Sequence, residues 1–504
     1  MINVLEYLEH SAADYPEKTA FAGEDTALSF KELLTGARSI GSFLYARGFY
    51  KKPVVVFMGK SPEAIQAFFG VVFAGCYYVP VDEEMPAHRI TLILRQLKAE
   101  AVICDSSTID KISGYGFKGS SFLYDDMAAA AADDKALVAV RQRSIDTDPI
   151  YVVFTSGSTG VPKGVVACHR SVIDYIEALT EVLKPDEDSV FGLQVPLYVD
   201  ACLKEIYSTL KFGGTTWIIP KQLFMFPLKL VEFMNEHRIN TVCWVVSALT
   251  IISGLGAFKK AVPEYLRTIA FGSEVFPIKQ FNLWKQHVPN ARYINLYGPT
   301  EATGMSCWYE VDREFGLEEA IPIGRPFRNK EIILLDENDN AVSGGEQGEL
   351  CIRGTSLTLG YYRSPEKTAE VFVQNPLNKN YPEIIYRTGD IARHNERGEL
   401  VFVSRKDNQI KHMGQRIELG EIETAAGALS GVSAAGCVFD GEKKKIILFF
   451  TGEADEARVL QELKDKLPRY MLPNMTFRLP HMPYTANGKL DRMALRQMYA
   501  EKTN

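Results

Sequence analysis

Apolar positions along the chain fall into short unbroken runs, separated by longer stretches with helical spacing. Pro53-Val54-Val55-Val56-Phe57-Met58 reads as a buried strand. From Pro62 to Phe73 apolar residues then recur at helical intervals. The proline sits in the first turn, where its missing N–H has no partner to lose. Tyr77–Val81 and Ala101–Cys104 read as further strands, with a helical pattern from Ala87 to Leu97 between them. Ile150–Val153, Thr241–Val246, Thr268–Phe271 and Tyr293–Leu296 continue the series. Strands this uniformly apolar are covered on both faces, as in parallel sheets flanked by helices. The pattern predicts an α/β fold in which residues 1–404 form doubly wound sheets. Ligands of such sheets gather in the loops at the carboxyl ends of the strands.

Near residue 405 the pattern changes. Gly398–Val403 reads as a strand, followed by the charged stretch Ser404-Arg405-Lys406-Asp407-Asn408. Beyond it come the stretch Ile417–Leu429, strands over Ser433–Phe439 and Lys445–Phe450, and a helix over Ala457–Leu467. This predicts a small α+β domain over residues 405–504. The junction is polar and lacks a Gly/Pro tract, so a short hinge is expected there.

Composition narrows the class. With 504 residues, 46% of them hydrophobic and 24% charged, the chain has ample material for a large core. A net charge of -7 argues against a sequence-independent nucleic-acid binder, which needs a basic face. The eight cysteines contain no Cys-x-x-Cys pair, and several, such as Cys76 and Cys243, sit in apolar runs. They read as reduced, buried residues of a cytoplasmic protein, not as disulfides or zinc ligands. The start of the chain lacks the long apolar core of a signal peptide, and no run of about 18 apolar residues predicts a membrane span.

Candidate chemistry begins with Phe154-Thr155-Ser156-Gly157-Ser158-Thr159-Gly160-Val161-Pro162-Lys163-Gly164, which follows a strand-like run. Glycines let backbone N–H groups converge, hydroxyls add donors, and a lysine adds a mobile positive charge. Such a loop suits phosphate oxygens. It is not a Walker A loop, because Pro162 precedes the lysine and no Lys-Ser or Lys-Thr pair follows. Four further segments stand out: Asn295-Leu296-Tyr297-Gly298-Pro299-Thr300-Glu301, Tyr386-Arg387-Thr388-Gly389-Asp390, Arg405–Lys411, and Asn487-Gly488-Lys489-Leu490-Asp491-Arg492. Each alone is an ordinary turn or loop.

In this order they resemble the adenylate-forming enzymes: acyl-CoA synthetases, luciferases and the amino-acid adenylation domains of nonribosomal peptide synthesis. Tyr77–Asp82, Gly348–Gly354 and Leu467–Pro473 extend the resemblance along the chain, and they are most similar to the amino-acid-activating branch. In length and layout the chain resembles the freestanding D-alanine–carrier protein ligases.

The resemblance implies ATP as co-substrate and Mg²⁺ as metal. Thr155, Ser156, Gly157, Ser158, Thr159, Gly160 and Lys163 would hold the β- and γ-phosphates. Tyr297 would stack on adenine and Asn295 would bond its amino edge, with Gly272, Ser273, Glu274 and Gly298 completing the nucleotide site. Thr300 would contact the α-phosphate, and Glu301 would bind the metal, which prefers carboxylate oxygen. Asp390 would accept bonds from the ribose hydroxyls, supported by Arg405. Lys489 would stabilise charge as the carboxylate attacks phosphorus. Two steps are implied, adenylate formation and transfer to a thiol, with the small domain swinging about Asp407 between them. Ser404 stands where the family usually has glycine.

Asp200 decides the substrate class by the same resemblance. It stands where amino-acid-activating relatives hold the substrate ammonium, and a buried carboxylate needs such a partner. Its alternative role is to cap the following helix. The side-chain pocket would comprise Ala201, Lys204, Cys243, Ile269, Phe271, Leu296, Gly304 and Met305. Phe271 and Leu296 narrow it and favour a compact side chain, although the D-alanine ligases carry cysteine in place of Phe271. Lys204 could pair with an acidic substrate. It also lies four residues after Asp200, on one helix face, so it could instead pair with Asp200 or reach solvent. No carrier domain follows Lys489, so a separate carrier protein with phosphopantetheine is the expected acceptor. The alternatives are an acyl-CoA synthetase for a small organic acid, against which Asp200 argues, and an idle sensor. Against the sensor stand Lys163, Glu301, Asp390 and Lys489.

Overall fold

A computed structural model describes residues 1–157, 160–484 and 490–503. Among them, strands Pro53–Phe57, Tyr77–Val81, Ala101–Cys104, Ser120–Leu123 and Pro149–Thr155 form the parallel part of a six-stranded sheet. Its last strand, Lys163–Cys168, returns antiparallel to Pro149–Thr155. A nine-stranded sheet carries parallel strands in the order Arg292–Tyr297, Thr268–Gly272, Thr241–Val245, Val190–Leu193, Thr215–Ile218 and Thr19–Ala22, with antiparallel strands at both edges.

Period-two alternation explains why these strands read as continuous apolar runs. Val54 and Val56 enter the main core, together with helices Phe30–Ala46, Pro62–Phe73, His169–Leu183 and Leu203–Phe212 between the two sheets. Val55 and Phe57 point the other way, into a second cluster with helix Ala87–Leu97. Both faces are therefore buried. The helix Pro62–Phe73 starts where Ser61 caps it by accepting from the Ala64 N–H, and its proline falls in the first turn.

The region before the junction differs from strand–helix alternation. Strands Lys330–Leu335, Gly348–Gly354, Phe372–Gln374, Ile384–His394 and Leu400–Arg405 form an antiparallel sheet. It follows the doubly wound part and brings Asp390 and Arg405 into register as paired residues.

The small domain begins with a two-stranded hairpin, Gln409–His412 and Gln415–Glu418. Helix Leu419–Gly427 follows. A three-stranded sheet of Val432–Asp440, Lys445–Gly452 and Met475–Arg478 packs on this helix and on helices Glu456–Lys464 and Arg492–Thr503. Within the stretch Ile417–Leu429 the helix starts at Leu419, because Gln415–Glu418 is a strand. All eight cysteines are buried and free. Among the described residues no helix is long and apolar enough to cross a membrane.

Candidate active site

The two domains meet over a cleft enclosing about 1080 Å³, part of it open to solvent. One wall comes from the glycine-rich segment: Thr155 and Ser156 line the cleft at the carboxyl end of their strand. The Gly157 N–H and the Ser156 hydroxyl point at the small domain. Gly157 donates to Glu421 Oε2 at 3.2 Å, and Ser156 Oγ donates to the Arg416 carbonyl at 2.9 Å. Gly160 has φ +78° and packs against Thr424. Lys163 opens the returning strand, lies over the Tyr361 ring, and sits 3.9 Å from Glu418. Burial and the nearby Arg416 hold its ammonium below the ordinary lysine range. Ser158 and Thr159 lie outside the described residues, as does Lys489.

A second wall is the turn after strand Arg292–Tyr297. Gly298 and Thr300 line the cleft, and Ser273, at φ +67°, joins them from the turn after Thr268–Gly272. Gly272 packs tightly against Leu296, while Glu274 accepts from the Ser247 N–H at 2.9 Å. Glu301 follows in a short helical turn and is wholly buried. Arg416 Nη1 lies 2.9 Å from each Glu301 oxygen, and the Tyr361 hydroxyl donates to Oε1 at 2.8 Å. Burial would raise this carboxyl, but Arg416 and Lys163 hold it below the usual range. Among the described residues no three His, Cys, Asp or Glu side chains gather as a metal cluster.

The third wall is the antiparallel sheet. Asp390 and Arg405 line the cleft, and Arg405 Nη1 donates to Asp390 at 2.6 Å. The Tyr297 hydroxyl also donates to Asp390. Arg405 grips Asp407 with two bonds, at 2.7 and 2.6 Å. Burial would raise Asp407, but this grip keeps it low. Tyr297 does not line the cleft here; the Lys411 ammonium lies 5.6 Å over its ring. Asn295 is buried and donates to the Pro322 carbonyl at 2.8 Å.

Asp200 faces the same cleft from a short helical turn ahead of Leu203–Phe212. It caps nothing at that helix; the Thr300 hydroxyl donates to its Oδ1 at 3.1 Å. Burial pushes its carboxyl up, against the pull of Lys204 and Thr300. Ala201 and Met305 line the cleft beside it. Lys204, Cys243, Ile269, Phe271, Leu296 and Gly304 do not. Lys204 is buried, so it does not reach solvent, and its ammonium donates to the Ala201 carbonyl at 2.8 Å.

Further cleft residues have no role assigned from the sequence, although Gln409, Lys411 and Tyr470 fall within segments that stand out there. Gln409, Lys411, Gly414 and Arg416 come from the hairpin, and Tyr470 from the small domain's core edge. The hairpin carries a period-two pattern and a Met413-Gly414 turn with φ of +52° and +73°, the geometry of a tight two-residue turn. Arg89 pairs with Glu421 at 2.6 Å, both nearly inaccessible. A charged residue on the buried face of helix Ala87–Leu97 was its available signal.

Three comparisons show what the chain is similar to. A family model for AMP-binding enzymes matches residues 8–362. Tyrocidine synthase 3 of Brevibacillus parabrevis is 32% identical over 508 residues, covering 100% of this chain but 8% of that protein. The chain thus corresponds to a small part of that synthase. The L-proline–[L-prolyl-carrier protein] ligase of Pseudomonas fluorescens is 30% identical over 505 residues, covering 97% of this chain and 98% of the ligase. In fold, the Vibrio cholerae adenylation domain AlmE, crystallised with glycyl-adenosine-5'-phosphate, superposes with a TM-score of 0.86 at 20% identity, over 99% of this chain and 98% of AlmE.

Proposed function

The chain belongs to the AMP-binding enzyme family, and we propose that it activates an amino acid with ATP and passes the aminoacyl group to a carrier-protein thiol. The observation that carries this reading is Asp200, a carboxylate turned into the same cleft as the phosphate-type loop and bonded to Thr300. An α-ammonium there would meet the one charge it needs, and the substrate carboxylate would then point toward Thr300 and the nucleotide. A carboxylate oxygen attacks the α-phosphorus and pyrophosphate leaves. A thiol next attacks the acyl carbon, and AMP leaves. The carrier-protein acceptor is supported by the full-length likeness to a prolyl-carrier protein ligase.

Thr155, Ser156, the Gly157 N–H and Lys163 serve the outer phosphates; Asp390, steadied by Arg405, serves the ribose. Glu301 would hold Mg²⁺, since a buried carboxylate kept ionised is a hard oxygen ligand. The ion, when bound, neutralises phosphate charge. In the arrangement seen here Arg416 and Glu421 occupy Glu301 and Gly157. The phosphate end of the cleft is thus closed by the small domain, as befits the transfer step after pyrophosphate has gone. Adenylation then requires a second orientation about Asp407, in which Lys489 approaches the α-phosphate.

Amino-acid-dependent exchange of labelled pyrophosphate into ATP tests the reading. Exchange with at least one amino acid is expected. Exchange with acetate or benzoate alone would select an acyl-CoA synthetase instead.

A further inference from the structure

Resting on the amino-acid reading above, we propose that Lys330, which stands outside the cleft, is a positioning residue for its amino-acid end: the buried ammonium holds the Met305 carbonyl and thereby fixes the loop that presents Thr300 to Asp200. Strand Arg292–Tyr297 leaves its sheet at Gly298 and returns antiparallel as Cys307–Glu310. Between the two strands the chain makes the short helical turn Thr300–Ala302, then two consecutive left-handed residues, Thr303 at φ +54° and Gly304 at φ +85°. A left-handed threonine is strained, so its surroundings must hold it. The Thr303 N–H donates to the Thr300 carbonyl at 3.0 Å, and the Ser306 N–H to the Tyr297 carbonyl at 2.6 Å. Thr300 and Met305 therefore belong to one closed loop. Both line the cleft, and the Thr300 hydroxyl donates to Asp200.

The loop is clamped from outside. Thr303 Oγ1 donates to the Ser356 carbonyl at 2.7 Å, the Phe327 N–H to the Ser306 carbonyl at 2.9 Å, and Lys330 Nζ to the Met305 carbonyl at 2.7 Å. The last of these lands on a residue of the cleft wall and is made by a charged group. The Lys330 ammonium lies 5.2 Å from the centre of the Tyr175 ring and 5.4 Å from that of Phe327, within range of a cation–π contact to each. Tyr175 in turn packs on Gly304, where an added β-carbon would lie 2.8 Å from the ring. Lysine, tyrosine and glycine thus form one packed unit behind Met305.

A buried ammonium is a costly way to hold a carbonyl. Among the described residues no carboxylate stands at ion-pair distance from Lys330, and the Met305 carbonyl is its one hydrogen-bond partner. Asp174, on the same helix as Tyr175, faces it but accepts its bond from Asn329. Tyr175 and Cys307 also face it, and burial keeps both neutral. Arg328 and Arg353, on its own turn and on the paired strand, are each taken by glutamates. Burial holds the Lys330 ammonium down to about 8 from 10.5. Folding therefore disfavours this proton: the cost is present in full at neutral pH and is relieved as pH rises through 8 toward 10.5. An apolar side chain of the same length would avoid it. A charge that burdens the fold while gripping the cleft wall is explained by what it does for the wall.

The test is pyrophosphate exchange by the full chain with ATP, Mg²⁺ and the best amino acid of a panel, from about pH 7 to about pH 9.5, for the wild type and for Lys330→Met. The variant keeps the stem between the rings and removes donor and charge. Its KM for the amino acid should rise about 10-fold, with the KM for ATP within about twofold and the thermal midpoint no lower than that of the wild type. In the wild type the amino-acid KM should climb as pH passes about 8 and the charged donor is lost, and the variant should lack that climb. The amino acid's own ammonium titrates alike in both proteins, so the difference between the profiles is the readout. A lower thermal midpoint with an unchanged amino-acid KM would make Lys330 a packing residue and overturn the proposal. Equal rises in both KM values, or superimposable pH profiles, would overturn it too. Exchange with acetate or benzoate but with no amino acid would instead remove the amino-acid reading on which it rests. Should Lys330→Met fail to fold, the wild-type profile still decides: a KM that rises no more than the amino acid's own titration demands would defeat the proposal.

Discussion

Removing Arg416 should separate the two half-reactions. Its guanidinium lies 2.9 Å from both oxygens of Glu301; the Arg416 side chain is 19% exposed and that of Glu301 0%. Breaking a buried pair by deleting one partner costs about 3–5 kcal/mol, because the survivor is left charged in a poor solvent. Here Tyr361 still donates to Glu301, and Lys163 still lies near it. The cost to the described arrangement is therefore nearer about 2–3 kcal/mol, which is roughly 30- to 150-fold in population. On the proposed mechanism Glu301 would face metal and phosphate in the adenylating orientation, so Arg416→Ala should add no such penalty there. Single-turnover transfer from preformed aminoacyl-adenylate to a holo carrier should slow by that factor, while pyrophosphate exchange stays within about threefold. The defect should persist from low to high salt, since a buried pair is screened little. Arg416→Lys should restore transfer only in part, because a point charge cannot make the planar contact. Equal losses in both assays would show that Arg416 serves adenylation; unimpaired transfer would show that the pair does not hold the domain. Either result would break the link between the Arg416–Glu301 pair and the transfer arrangement.

Other perturbations probe the remaining contacts. Asp200→Asn keeps volume and removes charge, so amino-acid-dependent exchange should fall at least about 100-fold with most of the change in KM; a loss under fivefold would detach Asp200 from the ammonium. Gly414→Val would place a β-carbon 2.5 Å from Val245 Cγ1 at a φ of +73°, so it should impair transfer and spare exchange, as Arg416→Ala does without touching charge. Arg405→Ala deprives Asp390 of its 2.6 Å partner and should raise the KM for ATP about 10-fold or more, measured by exchange at saturating amino acid. His169 is buried, and burial lowers its imidazole from 6.5 to about 4 while Nδ1 accepts the Val4 N–H. The unfolded chain thus binds more protons between those values, so stability is full above pH 6.5 and is lost as pH falls toward 4, by up to about 3 kcal/mol. His169→Asn should flatten that slope in denaturant titrations; an unchanged slope would assign it elsewhere.

Legibility in the sequence tracked how local each residue's demand is. Pro62–Phe73 and Ala87–Leu97 were readable because cap, proline and periodicity lie within one segment. Val54 to Phe57 were readable because both faces of the strand are covered, leaving no polar interruption. The glycine-rich loop was readable because its backbone imposes its own composition. The antiparallel sheet before the junction was not, since Ile384–His394 carries Arg387 and Asp390 for ion pairs and the neighbouring pairing shifts register between Glu349 and Cys351. The hairpin at Gln409 looked like more of the charged junction because Met413 takes the left-handed position where asparagine or aspartate would have announced a turn. Its functional residues were harder still. Ser156 bonds Arg416 from 260 positions away, and Gly157 bonds Glu421 from 264. These contacts join the two domains, and in the proposed two-orientation mechanism they would be made in one step and broken in the next. A contact of that kind leaves both partners free to look like ordinary surface charge in their own segments. Residues that bond across the two domains therefore carry the weakest local signal, while those that shape the cleft within one segment carry the strongest.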